Sequence, residues 1–275
     1  MRSNIVSRLA TAGVVLPVLA AVLFWGPAWA WFAVVAIAVA ISAKELFQMT
    51  HATDVVAQRI HIVTTLAVSV TVYSFAHDQR VLLSVLLAVP AVGVLVPLWR
   101  LGDIRTAAFR QMAGVAGPLY IGVLLTTVCI LRRDLGPEGA GYVAMTLMFA
   151  WLGDTGGYFA GRFLGKAKLY PAISPGKTRA GFVGALGGAC VGALISHFWW
   201  LPTIPLWHAL ILALMAGALG QLGDLAESLL KRSSGTKDSG QLLPGHGGFL
   251  DRVDAVMIVG PLVYLYTLWI APLPG

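Results

Sequence analysis

Long uncharged, mostly apolar runs recur along this chain and are separated by short polar segments. The first extends from Leu9 to Ala43 and is broken only by Gly26-Pro27, which predicts two helices joined by a tight turn. Later runs approach the ~20 residues that a helix needs to cross ~30 Å of hydrocarbon. They lie at about 60–76, 81–99, 114–131, 140–160, 180–199, 206–223 and 255–272. The pattern predicts nine membrane-spanning helices.

We expect helices as the spanning elements, because lipid offers the backbone no hydrogen-bond partner and a helix satisfies its own polar groups. Of the 275 residues, 58% are hydrophobic and 11% are charged, and the mean hydropathy of +0.81 leaves too little polar surface for a soluble protein. The expected fold is an all-α, polytopic integral membrane bundle. Its single domain, 1–275, comprises four helices in 1–113 and five helices in 114–275, and the second part carries the long polar loops.

The 19 Lys and Arg residues predict the orientation of the bundle, since short cytoplasmic loops collect these cations. With nine helices, only Arg80, Arg132 and Arg133 fall on the side opposite to the N-terminus. This places the N-terminus in the cytoplasm, the C-terminus outside and the polar loops at the cytoplasmic face of the cell (inner) membrane. The net charge of +7 then serves orientation and attraction to anionic lipid, and nucleic-acid binding is not needed to explain it.

Two sets of glycines recur every four residues in the second half of the chain, and each set falls on one helix face. They are Gly153, Gly157, Gly161 and Gly165, and then Gly184, Gly188 and Gly192. Small residues at this spacing let helix backbones approach closely in lipid. We expect these glycines to build the frame around a site by helix packing.

The segment from Ser228 to Asp254 is the only long stretch in which charge, glycine and a histidine crowd together. Its polar and glycine positions are Lys231, Arg232, Lys237, Asp238, Gly245, His246, Gly247, Gly248, Asp251, Arg252 and Asp254. Glycine lets the backbone approach a ligand closely, and an imidazole can donate to a phosphate oxygen or transfer a proton. These residue types suit a site for metal ions and phosphates, and a surface turn in which His246 has no role is the alternative.

Carboxylates flank this segment on both sides. Asp224 emerges directly from an apolar run, where an ionised carboxylate is costly unless it is paired or bound to a metal. Glu227, Ser228 and Lys231 share its face if the helix continues. The alternative to a metal site is a solvated helix end.

Asp251 and Asp254 begin the last apolar run and are three residues apart, so a helix turns both carboxylates to one side. An N-terminal cap explains one of them. The second, together with Asp224, would supply the carboxylate oxygens that Mg²⁺ prefers. We therefore expect Asp224, Asp251 and Asp254 as metal ligands.

Asp154 lies in or near the end of the sixth run, where a carboxylate is by default a functional hypothesis. We expect it to pair with Arg162 or with a cation of the next loop. That loop contains Ser174-Pro175-Gly176-Lys177-Thr178, a predicted turn that presents a lysine and two hydroxyls. Phosphate contact and a plain basic loop explain the turn equally well.

Taken in order, Ser228-x-Leu230-Lys231-Arg232, Lys237-Asp238, Pro244-Gly245-His246-Gly247-Gly248 and Asp251-Arg252-Val253-Asp254 resemble the signature of phosphatidate cytidylyltransferases, also called CDP-diacylglycerol synthases. The segment from Asp154 to Gly165, the turn at 174–178 and the region of Glu45 are also similar to that family. The resemblance therefore extends over nearly the whole chain. One departure is Gly176, where relatives often carry lysine, and it bears on how many cations that loop supplies.

The resemblance implies that CTP and phosphatidic acid react at the membrane to give CDP-diacylglycerol and pyrophosphate, with Mg²⁺ required and a second cation left open. It implies catalytic roles for Asp224, Lys231, Arg232, Lys237, Asp238, His246, Asp251 and Arg252. It implies substrate contacts for Asp154, Ser174, Lys177, Thr178, Ser228, Gly247 and Gly248.

Two other functions remain open at this point. One is another CTP-dependent lipid transferase or kinase. The other is a secondary transporter for an anionic metabolite, which predicts charges near the bilayer midplane and an inverted repeat. Neither transporter feature is evident in this sequence. The sequence also leaves open the acyl-chain preference, CTP against dCTP, and a homodimer against a monomer.

Overall fold

The computed structural model describes residues 2–240 and 247–271 as a helix bundle with one small hairpin. The helices in chain order are α1 (Arg2–Trp25), α2 (Ala28–Thr50), α3 (Val55–Phe75), α4 (Gln79–Trp99), α5 (Ala107–Gly117), α6 (Leu124–Asp134), α7 (Gly139–Leu164), α8 (Arg179–Trp199), α9 (Leu206–Ser233) and α10 (Leu250–Trp269). Between α7 and α8 lie the strands β1 (Lys168–Tyr170) and β2 (Ser174–Thr178). A π-helical turn, Pro118–Val123, joins α5 to α6, and short 3₁₀ turns occupy Ile104–Thr106 and Gly136–Glu138.

Helices form at each of the predicted apolar runs, with α5, the π-helical turn and α6 making one continuous rod. Within the described residues, seven helical segments are long and apolar enough to cross a membrane, and the rod Ile104–Asp134 is one of them. The first helix contributes a shorter apolar stretch, Val15–Trp25. The helix α7 is continuous, but Asp154 and several glycines interrupt the apolar sequence of its second half. The all-α membrane bundle is confirmed, while the count of nine spans and the sides of the termini stay predictions.

The rod Ile104–Asp134 is the most enclosed of these segments, since 67% of its most apolar 18-residue stretch is buried. Its last part, α6, packs against α2, α7 and α10. Phe47, Cys129, Phe149 and Met257, one from each of these four helices, are at most 1% exposed. Cys129 and Cys190 are both free thiols. The core therefore surrounds α6, and α2 and α10 both pack against this helix.

Side-chain hydrogen bonds sort the loops into two ends of the bundle. At one end, Arg100 after α4 pairs with Asp54 after α2 at 3.1 Å, and Arg232 at the end of α9 donates to the carbonyl of Ile173 in the hairpin at 3.5 Å. At the other end, Arg132 donates to two carbonyl oxygens around the turn between α1 and α2, at 2.8 and 2.9 Å. These contacts join the loop after α2 to that after α4, the end of α9 to the hairpin, and the end of α6 to the turn after α1.

The segment predicted as a turn at 174–178 is the strand β2. It pairs antiparallel with β1, with Lys168 opposite Thr178 and Tyr170 opposite Ser174. The predicted turn is therefore wrong. Pro175 and Gly176 usually mark turns, but β2 has a partner strand on one edge only, and an edge strand tolerates a proline that has no N–H to donate. The hairpin delivers Lys177 and Thr178 to the start of α8 in a fixed position.

Close packing through glycine holds α7 against α8. A Cβ atom on Gly156 would lie against the carbonyl oxygen of Gly184, and one on Gly188 against the carbonyl oxygen of Leu152. The predicted packing role of the second glycine set is confirmed here. On α7 the tightest contact belongs to Gly156, one position before Gly157 of the predicted set.

The same device brings α9 and α10 together next to the polar segment. A Cβ atom on Gly223 would meet Ile258 and lie 3.6 Å from the carbonyl oxygen of Asp254, and one on Gly220 would touch Ala255 at 3.7 Å. These contacts place the start of α10 directly beside the part of α9 that follows Gly223. Carboxylates from both helices are therefore neighbours.

The neighbouring glycines of α8 provide a direct test of this packing. We expect Gly188→Ala to destabilise the protein, because the added Cβ meets a backbone atom of α7 that has no room to move, and overpacking of this kind costs ~1–3 kcal/mol. Gly187→Ala is the control, since a Cβ there meets no atom within 4 Å. Thermal unfolding in detergent should show a lower Tm for Gly188→Ala only. Equal Tm values for both variants would contradict the close approach of α7 and α8.

Candidate active site

A cavity of about 370 Å³ opens between α7, β2, α8 and α9, at the end of the bundle that carries the hairpin. Its wall is formed by Asp154, Gly157, Tyr158, Gly161, Arg162, Gly176, Lys177, Thr178, Gly181, Gln221 and Asp224. The glycines of the α7–α8 contact line it, so the absence of side chains there leaves the space open. A larger cavity of about 690 Å³ lies at the opposite end of the bundle, and no residue of the predicted site lines it.

Lys177 crosses the mouth of the smaller cavity from β2 to α9. Its Nζ lies 2.8 Å from Oδ2 of Asp224 and donates to the carbonyl oxygen of Gln221 at 3.1 Å. Both side chains are partly exposed, 14% for Lys177 and 34% for Asp224, so the pair remains accessible to a ligand. The pairing reduces the cost of placing a carboxylate where hydrocarbon ends. The cavity thus presents one cation and one carboxylate side by side.

Asp154 faces the same cavity from α7. It forms no hydrogen bond or ion pair with the residues that the structure describes. Arg162, its predicted partner, instead donates to the hydroxyl of Tyr158 at 2.7 Å, one turn earlier on the same helix. The alternative partner, a cation of the next loop, is closer to the arrangement found, since Lys177 lines the wall opposite Asp154.

Thr178 and Ser174 differ in what they can contact. Thr178 lines the cavity, but it is buried and its Oγ1 caps α8 by accepting from the backbone N–H of Gly181 at 3.0 Å. Ser174 lies at the far end of β2 and is not part of the cavity wall. Of the three polar residues predicted in this segment, Lys177 is therefore the one that presents its functional group fully to the cavity.

The polar face predicted for α9 is present. Ser228 donates to Oδ1 of Asp224 at 3.4 Å, and Lys231 lies 3.5 Å from Oε1 of Glu227. Glu227 is 1% exposed, and neither of its carboxylate oxygens accepts a hydrogen bond from a described residue. One helix face thus runs from the cavity at Asp224 into a second, more enclosed group of charges.

Asp251 completes this second group from the first turn of α10. One of its oxygens contacts Nζ of Lys231, and the other accepts from the backbone N–H groups of Gly248 at 3.1 Å and Ser239 at 3.4 Å. Gly247, just before, has φ of +78°, a left-handed conformation that favours glycine. In this structure Gly247 and Gly248 shape the backbone that holds Asp251, while their expected substrate contacts stay a prediction.

Asp254, one turn further along α10, is 6% exposed and points inward. The three predicted metal ligands do not share one ion here, since Lys177 sits on Asp224 and Lys231 sits on Asp251. Among residues 2–240 and 247–271, no group of three or more His, Cys, Asp or Glu side chains is arranged to hold a metal ion. The carboxylates are gathered on two touching helices, but ammonium groups neutralise two of them.

The remaining predicted residues that the structure describes are exposed near this group of charges. Arg232, Lys237, Asp238 and Arg252 are exposed at the same end of the bundle. Arg232 is tied to the loop by a bond to the carbonyl of Thr236 at 3.4 Å. His246 lies outside the described residues.

Two features of the site escaped the sequence analysis. Glu227 was expected only to share a helix face, yet it is the most enclosed carboxylate of the group. The region of Glu45 was named only for its similarity to the family, yet Glu45 contacts the start of α10: its oxygens accept from the backbone N–H groups of Phe249 at 3.0 Å and Leu250 at 2.8 Å. The expected cap from Asp251 or Asp254 is therefore supplied by a residue of α2. In the sequence this residue is marked only by the family resemblance and by its place just after the first apolar run.

Residues 6–270 match the model of the cytidylyltransferase family. The chain is 48% identical over 126 residues to a phosphatidate cytidylyltransferase of Staphylococcus saprophyticus, covering 46% of this chain and 48% of that protein. It is 44% identical over 146 residues to one of Bacillus subtilis (53% and 54%) and 43% identical over 154 residues to one of Brucella suis (55% of each).

The chain thus spans about half the length of the curated relatives it matches, whereas the family model extends over nearly all of it. Because that match covers both the apolar helices and the charged groups at their ends, this protein belongs to the cytidylyltransferase family.

Proposed function

We propose that this protein is a phosphatidate cytidylyltransferase of the cell (inner) membrane, which transfers CMP from CTP to phosphatidic acid with its site facing the cytoplasm. The names of the relatives support the substrates. The observation that carries the proposal is the pairing of two lysines with two carboxylates along one face of α9, Lys177 with Asp224 and Lys231 with Asp251. This face begins in an open cavity and lies at the end of a membrane bundle, where a lipid headgroup and a cytosolic nucleotide can meet.

The reaction needs no protein nucleophile. A phosphate oxygen of phosphatidic acid attacks the α-phosphorus of CTP and forms a new P–O bond. The bond from the α-phosphorus to the oxygen that bridges the β-phosphate breaks, and pyrophosphate leaves with its electron pair. The protein has to hold two polyanions against each other and to compensate the charge that develops during transfer.

The described cations suit this task. Lys177 and Arg162 line the open cavity, and Lys231 lies deeper between Glu227 and Asp251. We assign Lys177 to the triphosphate and Lys231 to the reacting phosphates. Arg232, Lys237 and Arg252 would hold the outer phosphate oxygens at the mouth, with Asp238 orienting these cations. His246 keeps its expected place in the phosphate pocket through the signature alone.

Carboxylate oxygens are the ligands that Mg²⁺ prefers, and α9 and α10 bring several of them together, although lysines pair with Asp224 and Asp251 in this structure. Glu227 is buried 3.5 Å from the ammonium group of Lys231, and its carboxyl group also interacts with those of Asp251 and Asp254. A divalent cation would offset the repulsion among these carboxylates. Asp224 and Asp251 would hold Mg²⁺, with Asp254 as a further ligand or an orienting group and Glu227 beside them. When bound, the cation shares the negative charge of the phosphates and makes pyrophosphate a better leaving group. A second cation stays a proposal of the same kind.

The test of the function is a lipid-dependent pyrophosphate assay with purified protein. We expect pyrophosphate release from CTP only when phosphatidic acid and Mg²⁺ are both present, and none after chelation with EDTA. Formation of CDP in place of pyrophosphate would instead identify a lipid kinase. Uptake of an anionic metabolite into vesicles without turnover would identify a transporter.

The proposed ligands are tested by Asp224→Asn and Asp251→Asn. Each should lower kcat by roughly 10²–10³-fold, because removing one group that stabilises charge in the transition state has effects of this size. The control is Asp134→Asn, whose carboxylate pairs with His77 and Arg133 at the opposite end of the bundle. Activity of either site variant equal to that of the control would remove that aspartate from the site.

The cavity is tested by Lys177→Met against Lys166→Met. Lys166 is an exposed cation in the same loop and does not line the cavity. Loss of a charged hydrogen-bond donor costs about 1.5–3 kcal/mol, so the KM for CTP should rise roughly 10-fold to 100-fold in the first variant. A KM unchanged from that of Lys166→Met would exclude Lys177 from nucleotide binding.

A further inference from the structure

Glu45 lies far from the charged segment in sequence but within it in space. The carboxylate is 3% exposed, near the end of α2, and accepts three hydrogen bonds from the last inter-helix segment. The donors are the backbone N–H of Phe249 at 3.0 Å, the backbone N–H of Leu250 at 2.8 Å and the hydroxyl of Ser239 at 3.1 Å. A buried carboxylate with three donors is fully engaged, so it is not available to a ligand.

Two of these donors belong to the N-terminus of α10, where the first backbone N–H groups have no partner within the helix. A carboxylate at this end is favourable both as an acceptor and through the helix dipole. The residue at the cap position, Phe249, cannot supply one itself. Glu45 therefore caps α10 from another helix, as an Asp or Ser at the cap position itself would do.

The same segment holds Asp251. The backbone N–H of Ser239 donates to Asp251 at 3.4 Å while its hydroxyl donates to Glu45. Gly248 donates to Asp251 at 3.1 Å, and a Cβ on Gly248 would collide with Ser239 and lie 2.9 Å from Oε2 of Glu45. The carboxylates of Glu45 and Asp251 thus accept hydrogen bonds from the same part of the chain, which consists of Ser239 and residues 248–250.

We infer that Glu45 is a positioning residue: it fixes the start of α10 so that Asp251 faces Lys231. This inference rests on the proposed cytidylyl transfer for its effect on turnover, but its structural part does not. Glu45 touches neither Lys231 nor the reacting groups. Its influence passes through Ser239, Gly248 and the first turn of α10.

The test is Glu45→Gln, which keeps the shape but replaces one acceptor oxygen with an NH₂ group. The control is Glu138→Gln, since Glu138 lies at the opposite end of the bundle and caps no helix with its side chain. Hydrogen exchange at the amides of Phe249 and Leu250 should be about 5-fold faster in Glu45→Gln, the size expected for loss of a cap. Exchange in α3 should not change in either variant.

Turnover per folded molecule should fall roughly 10-fold to 100-fold in Glu45→Gln, as for other groups that orient a ligand residue. The KM for CTP should stay within about 3-fold, because Lys177 and the open cavity are untouched. A merely structural role would lower the folded fraction and leave the kcat of the folded protein unchanged. Ser239→Ala removes one of the three bonds and should give a smaller effect that is not additive with Glu45→Gln.

Unchanged exchange at residues 249–250, or an unchanged kcat in folded Glu45→Gln, would overturn the inference. If Glu45→Gln does not fold, Ser239→Ala carries both measurements with the same criteria. A wild-type protein that exchanges slowly at these amides but shows no turnover would reject the proposed function. Faster exchange in Glu45→Gln would then still support the capping contact.

Discussion

Charged side chains at the ends of apolar helices are stable only when they are paired, and the contact between Lys231 and Asp251 is the pair on which the rest of the site depends. It joins the last turns of α9 to the first turn of α10. Glu227 is held beside it, and Asp224 follows one turn back on the same face. Without this link, Glu227 and Asp251 would lose the ammonium group that lies between them, and their mutual repulsion would push the two helices apart.

The two lysine–carboxylate pairs have different surroundings, and this difference suggests a division of labour. Lys177 and Asp224 are at the wall of an open cavity, where water and a nucleotide can enter. Lys231 is enclosed between Glu227 and Asp251, where electrostatic interactions are stronger because less water screens them. A phosphate that reaches the second pair would exchange its hydration shell for fixed charges, which is the condition under which charge stabilisation is most effective.

Much of the molecule could be predicted because its causes are local. Apolar runs predicted the helices. The spacing of Asp224, Ser228 and Lys231 was enough to place them on one face. The hairpin could not be predicted, because Pro175 and Gly176 favour turns and the pairing with β1 depends on tertiary position. The capping role of Glu45 is a contact across 204 residues and leaves no periodic signal in the sequence.

The bond network of Glu45 has a consequence for biogenesis. Helices enter the membrane in the order of synthesis, so α2 is in place with a buried carboxylate long before its three donors exist. The donors arrive only with the final helix, and until then Glu45 has to be solvated by water or lie unsatisfied in a partly formed bundle. Until α10 has been made, the nascent chain therefore carries a carboxylate near the end of α2 without the donors that hold it in the folded protein.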